Sequence, residues 1–215
     1  MKIIRLFLLS AVLVFFVTPR VHSQQVSPWK QFRKLSCPEK KWVVAHLFIA
    51  SKTWKLTRFV LQVTDSIRTS GLLDGDPDGG QVDAFRHAYW MAYLSHHIGR
   101  KRAYTLGVAH EKGNYLEYKN NIVEEGNVPD KISSDMDFWN NNKGLDLGMI
   151  FKNAGSYELK ALVLEILLKG ELKIIRKTRK GEFLDCNGNI ISSDSLKGQW
   201  INNKCLVPSN VQRKN

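Results

Sequence analysis

The chain has 215 residues, 43% hydrophobic and 24% charged, which excludes the disordered, collagenous and coiled-coil classes and makes one globular domain the starting expectation. Six Trp, ten Phe and six Tyr supply a core that needs neither metal nor disulfide to fold. The formal charge of +12 favours acidic partners such as anionic lipid, nucleic acid or cell-wall polymer, and names none of them.

Lys2 and Arg5 form a charged start, Ile3 to Val17 is almost uninterrupted apolar sequence, and Val21-His22-Ser23 offers a cleavage point before Gln24. Residues 1–23 therefore read as a secretory signal, which predicts a periplasmic or extracellular product. Removing Lys2, Arg5 and Arg20 with that segment lowers the charge from +12 to +9. The apolar run is short for a membrane span, and no later stretch is apolar enough to be one. Export permits disulfides, and of Cys37, Cys186 and Cys205 the last two lie close together in a turn-rich tail, so they are the expected pair. No two cysteines have zinc-ligand spacing.

Residues 24–38 read as an irregular lead-in to a helical region, residues 39–175. Apolar residues at helical spacing (Val43, Leu47, Ala50, Trp54, Phe59, Val63, Ile67) predict one long helix from Lys40 to about Ser70. After the polar loop Asp74 to Gly80, a second helix is predicted from about Val82 to Ile98, closed by Gly99, and a third from Arg100 to Tyr115 or slightly beyond. Ser133-Ser134 can cap a fourth from Asp135 to about Lys152, and Ser156 a fifth that runs to Lys169 and ends at Gly170. Residues 176–215 change character: Asn187-Gly188 between short apolar runs predicts a small hairpin, and the tail from Pro208 is expected to fray. The expected fold is mainly α, a bundle of about five helices with a small β-hairpin or irregular C-terminal cap.

The densest chemical signal is Asp83-Ala84-Phe85-Arg86-His87-Ala88-Tyr89-Trp90, in which Asp83, Arg86, His87 and Trp90 share one helical stripe. Such a stripe is expensive against a core unless other helices supply polar partners. His110-Glu111 on the third helix and Asp137, Asn140 and Asn141 on the fourth are the candidates. A metalloprotease pattern is excluded, because position 114 is Asn. Asn and Gly are numerous in the fourth helix although both are poor helix formers, so tertiary contacts must compensate.

The series Asp-Ala-Phe-Arg-His-Ala-Tyr-Trp at 83–90, Ala-His-Glu at 109–111 and Met-Asp-x-x-Asn-Asn-x-x-Gly at 136–144 resembles a family of uncharacterised bacterial domains, with Gly170-Glu171-Leu172-Lys173 similar to its closing segment. Members of that family are often secreted or attached to toxin-like proteins. The resemblance spans about residues 80–175 and implies a domain and a site, with no established reaction. It departs at Leu145, where a basic residue is expected, and so gives no support to anion binding there.

Three readings of these residues stay open. His87, His110 and Asp137 could ligate a divalent metal such as zinc in a hydrolytic centre, with Glu111 and Arg86 as further catalytic groups and Asp83, Asn140 and Asn141 facing substrate or an oxyanion. A metal-free site could use His87 or His110 as a base oriented by Asp137 or Glu111. The same residues could form a buried polar network that only fixes helix packing. Separately, Asp74, Asp76, Asp78 and Gly79 match the opening of a calcium loop, although position 85 is Phe where the closing Glu should stand. The function expected is a hydrolase-like or toxin-like effector, the alternative a non-catalytic envelope or extracellular binding protein.

Overall fold

The computed structural model describes residues 27–120 and 129–212, so the signal-like segment 1–23 lies outside the described residues. The chain is mainly helical: α1 (Pro28–Lys34), α2 (Cys37–Ala45), α3 (Leu47–Thr69), α4 (Gln81–Ile98), α5 (Arg100–Lys119), α6 (Lys131–Ile150), α7 (Ser156–Leu168) and a short α8 (Ser193–Leu196). A two-stranded sheet of β1 (Lys173–Ile175) and β2 (Leu206–Pro208) completes it.

Four expectations about where helices start and break need correction. The lead-in is helical from Pro28, because Ser27 caps α1 and Ser36 caps α2 through a capping box with Glu39. The long helix breaks at His46, which leaves helical geometry (φ −132°, ψ 38°) and turns its Nδ1 onto the Trp42 carbonyl at 2.9 Å. The fourth predicted helix starts earlier, at Lys131, because Asp130 is its cap: Asp130 accepts the Ser133 N–H at 2.8 Å and Ser133 Oγ accepts the Asp130 N–H at 3.1 Å. Gly155, and not Ser156, stands at the cap of α7.

Helix α4 is the centre of the bundle. Ala84, Phe85, Ala88, Tyr89 and Ala92 face a core shared with α3, α7 and β1, built from Val60, Ile67, Leu159, Val163, Leu167 and Ile174. Met91, Leu94 and Ile98 face a second core with Trp42, Ala103, Leu106 and Leu145. Buried on nearly every side, α4 fits no amphipathic pattern. Leu145, fully buried in that second core, explains why a basic residue has no place there.

At Gly144 and Gly148, α6 meets α4 with no room for a side chain. A Cβ on Gly144 would lie 2.1 Å from the Ala88 carbonyl oxygen, and one on Gly148 would lie 2.1 Å from Ser95 Oγ and 2.7 Å from the Ala92 oxygen. Neighbours rise together along both chains, so the two helices run in the same direction, with α5 supplying the return. This close approach is the tertiary compensation for a helix of weak local propensity.

The C-terminal cap is tied down more firmly than its sequence suggests. Ile174 pairs with Val207 in the antiparallel sheet, and the Asn187-Gly188 hairpin survives as one isolated bridge, Leu184 to Ile190. Cys186 and Cys205 form a disulfide, and Cys37 is free and exposed. The tail does not fray at Pro208: Ser209 is fully buried and donates from Oγ to the Leu167 carbonyl at 2.6 Å.

Candidate functional site

The loop before α4 is closed upon itself. Asp74 Oδ1 accepts the N–H groups of Asp76 and Gln81, each at 3.0 Å, and Asp76 Oδ1 accepts that of Asp78 at 3.0 Å. Gly80 is required, since a Cβ would sit 2.5 Å from Asp76 Cβ. The ammonium of Lys177, from the C-terminal cap, lies 2.8 Å from Asp76 Oδ2 and also donates to the Asp78 carbonyl. Of the residues expected in a calcium loop, Asp76 thus faces a buried protein cation, and Asp74 and Asp76 accept N–H groups from within the loop and from Gln81 at the start of α4.

The loop delivers Asp83 to the first turn of α4. Its Oδ2 accepts the Gly79 N–H at 2.6 Å, and its Oδ1 accepts from Arg86 at 2.7 Å and lies 3.5 Å from His87 Nε2. From α6, Asp137 Oδ1 comes within 3.3 Å of the same nitrogen, and Asn141 Oδ1 lies 3.2 Å from His87 Nδ1. Two i, i+4 pairs, Asp83 with His87 and Asp137 with Asn141, thus face each other across the glycine-lined contact.

This geometry fixes the imidazole. In the tautomer whose Nδ1–H donates to Asn141 Oδ1, the neutral ring carries its lone pair on Nε2, beside two carboxylate oxygens. Burial, then the charges of Arg86 and His110, push the His87 pKa well below its usual range, opposed by the hydrogen bond to Asn141. A neutral imidazole lone pair facing two carboxylates is a ligand set for a cation, with Asn141 in the orienting role that ligating histidines need. Among the described residues, Asp83, His87 and Asp137 form the group able to hold a metal ion, with one donor atom each within 4.8 Å and all three residues buried.

Of the expected ligands His87 and Asp137 fall in this group, Asp83, expected to face substrate, falls in it as well, and His110 lies outside it. The His110 and His87 ring centroids are 6.2 Å apart, and His110 Nδ1 faces Glu39 Oε1 at 3.2 Å. Burial would raise the Glu39 pKa, but hydrogen bonding and charge from His110, with the Ser36 hydrogen bonds, hold it below its usual range. Glu39 is thus a carboxylate that orients His110. Position 39 is legible in the sequence as the end of a Ser36-x-x-Glu39 capping box, which gives no hint of a partner 71 residues away.

Glu39 on α2, Thr57, Val60 and Leu61 on α3, Arg86, His87 and Trp90 on α4 and His110 on α5 line a pocket of about 230 Å³. Trp90 is fixed in its wall by an Nε1–H bond to Thr57 at 3.0 Å. Glu111 is buried between α5 and α6, where its Oε2 accepts from Ser134 at 2.7 Å. It lies outside the group of Asp83, His87 and Asp137. Asn140 does not face the cluster: it donates to the Lys173 carbonyl and accepts the Lys173 N–H, both at 2.9 Å. Trp139 adds a bond to the Glu171 carbonyl, so Trp139-Asn140 clips the Gly170–Lys173 segment to α6.

Residues 40–171 match a family model described as "Domain of unknown function (DUF6973)". The chain belongs to that family. The matched span contains Asp83, His87, Asp137 and the Glu39-facing His110, while Glu39 itself falls one position before it. No curated protein and no solved structure matches the chain.

Proposed function

We propose that this member of the family is an exported, hydrolase-like effector whose centre is a divalent metal ion held by Asp83, His87 and Asp137. One observation carries the reading: three buried donor atoms from two helices lie within 4.8 Å, with His87 Nε2 presented to both carboxylates by the Asn141 contact. One imidazole and two carboxylates suit zinc or manganese, and three protein ligands leave coordination positions for water or substrate. Such an ion lowers the pKa of a bound water to about 7 in zinc enzymes and stabilises a developing oxyanion. The His110–Glu39 pair, in the wall of the same pocket, supplies an oriented base or acid, and Arg86 fixes Asp83 at the pocket edge.

The alternative, a binding protein in which the cluster only joins α4 to α6, has one observation in its favour, the near-complete burial of Asp83, His87 and Asp137. Metal content separates the two readings. Protein purified without chelator or affinity metal is expected to carry about one transition ion per chain by mass spectrometry. Asp137→Asn and Asp83→Asn should lose that ion, and EDTA should lower the melting temperature of the wild type alone. Metal-free protein with no EDTA response overturns the metal centre. A screen of ester, phosphoester, peptide and glycan substrates on the loaded protein then tests hydrolysis.

A further inference from the structure

Residues 27–64 carry eight cations, Lys30, Arg33, Lys34, Lys40, Lys41, Lys52, Lys55 and Arg58, against one acid, Glu39. That acid is turned inward, with its carboxylate held by Ser36 and His110. The outer surface of α1, α2 and the first half of α3 therefore bears no counter-charge of its own. Apolar side chains stand out from the same stretch: Phe48 is as exposed as in an open chain, Leu47 is 66% exposed, Val44 60% and Trp29 67%. Val44, Leu47 and Phe48 follow at i, i+3 and i+4 across the His46 break, and Lys52 and Lys55 continue the Phe48 stripe at i+4 and i+7 along α3.

Exposed Phe, Leu and Trp flanked by lysines are the composition of a surface that sits in a lipid interface, where rings and aliphatic chains enter the acyl boundary and ammonium groups meet anionic headgroups. A nucleic acid would use the charges and leave Val44, Leu47 and Phe48 in water. We infer that the α2–α3 corner around Phe48 is a docking surface for an anionic lipid bilayer. The same elements line the pocket, through Glu39 on α2 and Thr57, Val60 and Leu61 on α3, so docking would bring the pocket close to the membrane. The inference rests on exposure and charge alone and stands whether or not the pocket holds a metal.

The test places an environment-sensitive fluorophore at position 48 of the full chain (F48C in a C37S background, with the Cys186–Cys205 disulfide kept oxidised). It reads contact with vesicles of phosphatidylcholine, with or without 30% phosphatidylglycerol, that carry a lipid-borne quencher. A local probe is used because the apolar run at residues 3–17 could hold a vesicle by itself. Quenching is expected on the anionic vesicles at 0.1 M salt and should be lost at 1 M, where the screening length falls to about 3 Å. Each lysine near an anionic surface contributes about fivefold to partitioning, so K34Q/K41Q/K55Q should weaken the quenching midpoint on the order of 100-fold.

Equal quenching on neutral vesicles, or none on either, overturns the inference. A probe response to single-stranded RNA in place of vesicles assigns the surface to nucleic acid. A blue shift without lipid that grows with protein concentration assigns it to a second copy, and one independent of concentration to the chain's own N-terminal segment. Each of these three also overturns the lipid assignment.

Discussion

Replacing Gly144 with alanine puts a methyl carbon 2.1 Å from the Ala88 carbonyl oxygen and 2.9 Å from Ala88 Cα, where real Cβ contacts stay beyond 3.0 Å. Relief requires α6 to back away from α4 by roughly 1 Å, because the obstacle is helix backbone and cannot rotate aside. Alanine contributes up to about 1 kcal/mol of helix propensity, and overpacking costs about 1–3 kcal/mol. With a backbone obstacle the upper value applies, so the net loss is about 2 kcal/mol. The same shift stretches the 3.2 Å contact of Asn141 with His87 and the 3.3 Å approach of Asp137 to it. Loss of such an orienting contact should weaken metal binding about 10- to 100-fold. Urea unfolding of the metal-free protein and a zinc titration read the two effects separately, with Gly155→Ala, which meets nothing within 4 Å, as the control. A Gly144→Ala protein that gains stability and keeps its zinc affinity would refute the claim that α4 and α6 are held at minimum separation to build the site.

Four further outcomes are expected. Lys177→Met leaves Asp76 and the Asp78 carbonyl without their buried cation and should cost about 3–5 kcal/mol in urea unfolding; a change under 1 kcal/mol would show that the loop does not need it. Asn140→Ala removes both hydrogen bonds to Lys173 and should cost about 2 kcal/mol with metal affinity unchanged, the opposite pattern to Asp137→Asn. Asp130 is buried, which alone would raise its pKa, but Lys204 at 2.6 Å, the Ser133 N–H and Asn202 hold it below its usual value. The stability it contributes is therefore fully present above about pH 4, the range of an unfolded Asp, and is lost as pH falls through the lower folded pKa. Asp130→Asn should flatten the acid limb of a stability-against-pH curve, and an unchanged limb would refute the assignment. Reducing Cys186–Cys205, which closes a loop of separation 19, should cost about 3 kcal/mol, measured as the shift in urea midpoint with reductant.

The sequence by itself determined the helical class, because hydrophobic periodicity and capping residues are local signals that survive in any tertiary setting. It also determined that Asp83 and His87 share a face with Arg86, and Asp137 with Asn141, because i, i+4 spacing is a property of the helix alone. The Cys186–Cys205 pair was legible from proximity along the chain. The break at His46 was not, because periodicity continues through it and the departure is stabilised by a ring-to-carbonyl contact with Trp42.

Only the tertiary structure decided which faces meet. The D-x-D-x-D-G loop carries the residues of a cation site, and the fold brings to it the ammonium of Lys177, about a hundred positions away. Asn140 and Asn141 are adjacent and alike, but their side chains leave α6 about 100° apart, so one clips β1 and the other orients His87. Asp83 lies with His87 and Asp137, while His110 is paired with Glu39, which the sequence offers only as a helix cap. Charge, spacing and capping are written residue by residue; which donors converge depends on the distance between helices, set here by the absence of a Cβ at Gly144 and Gly148.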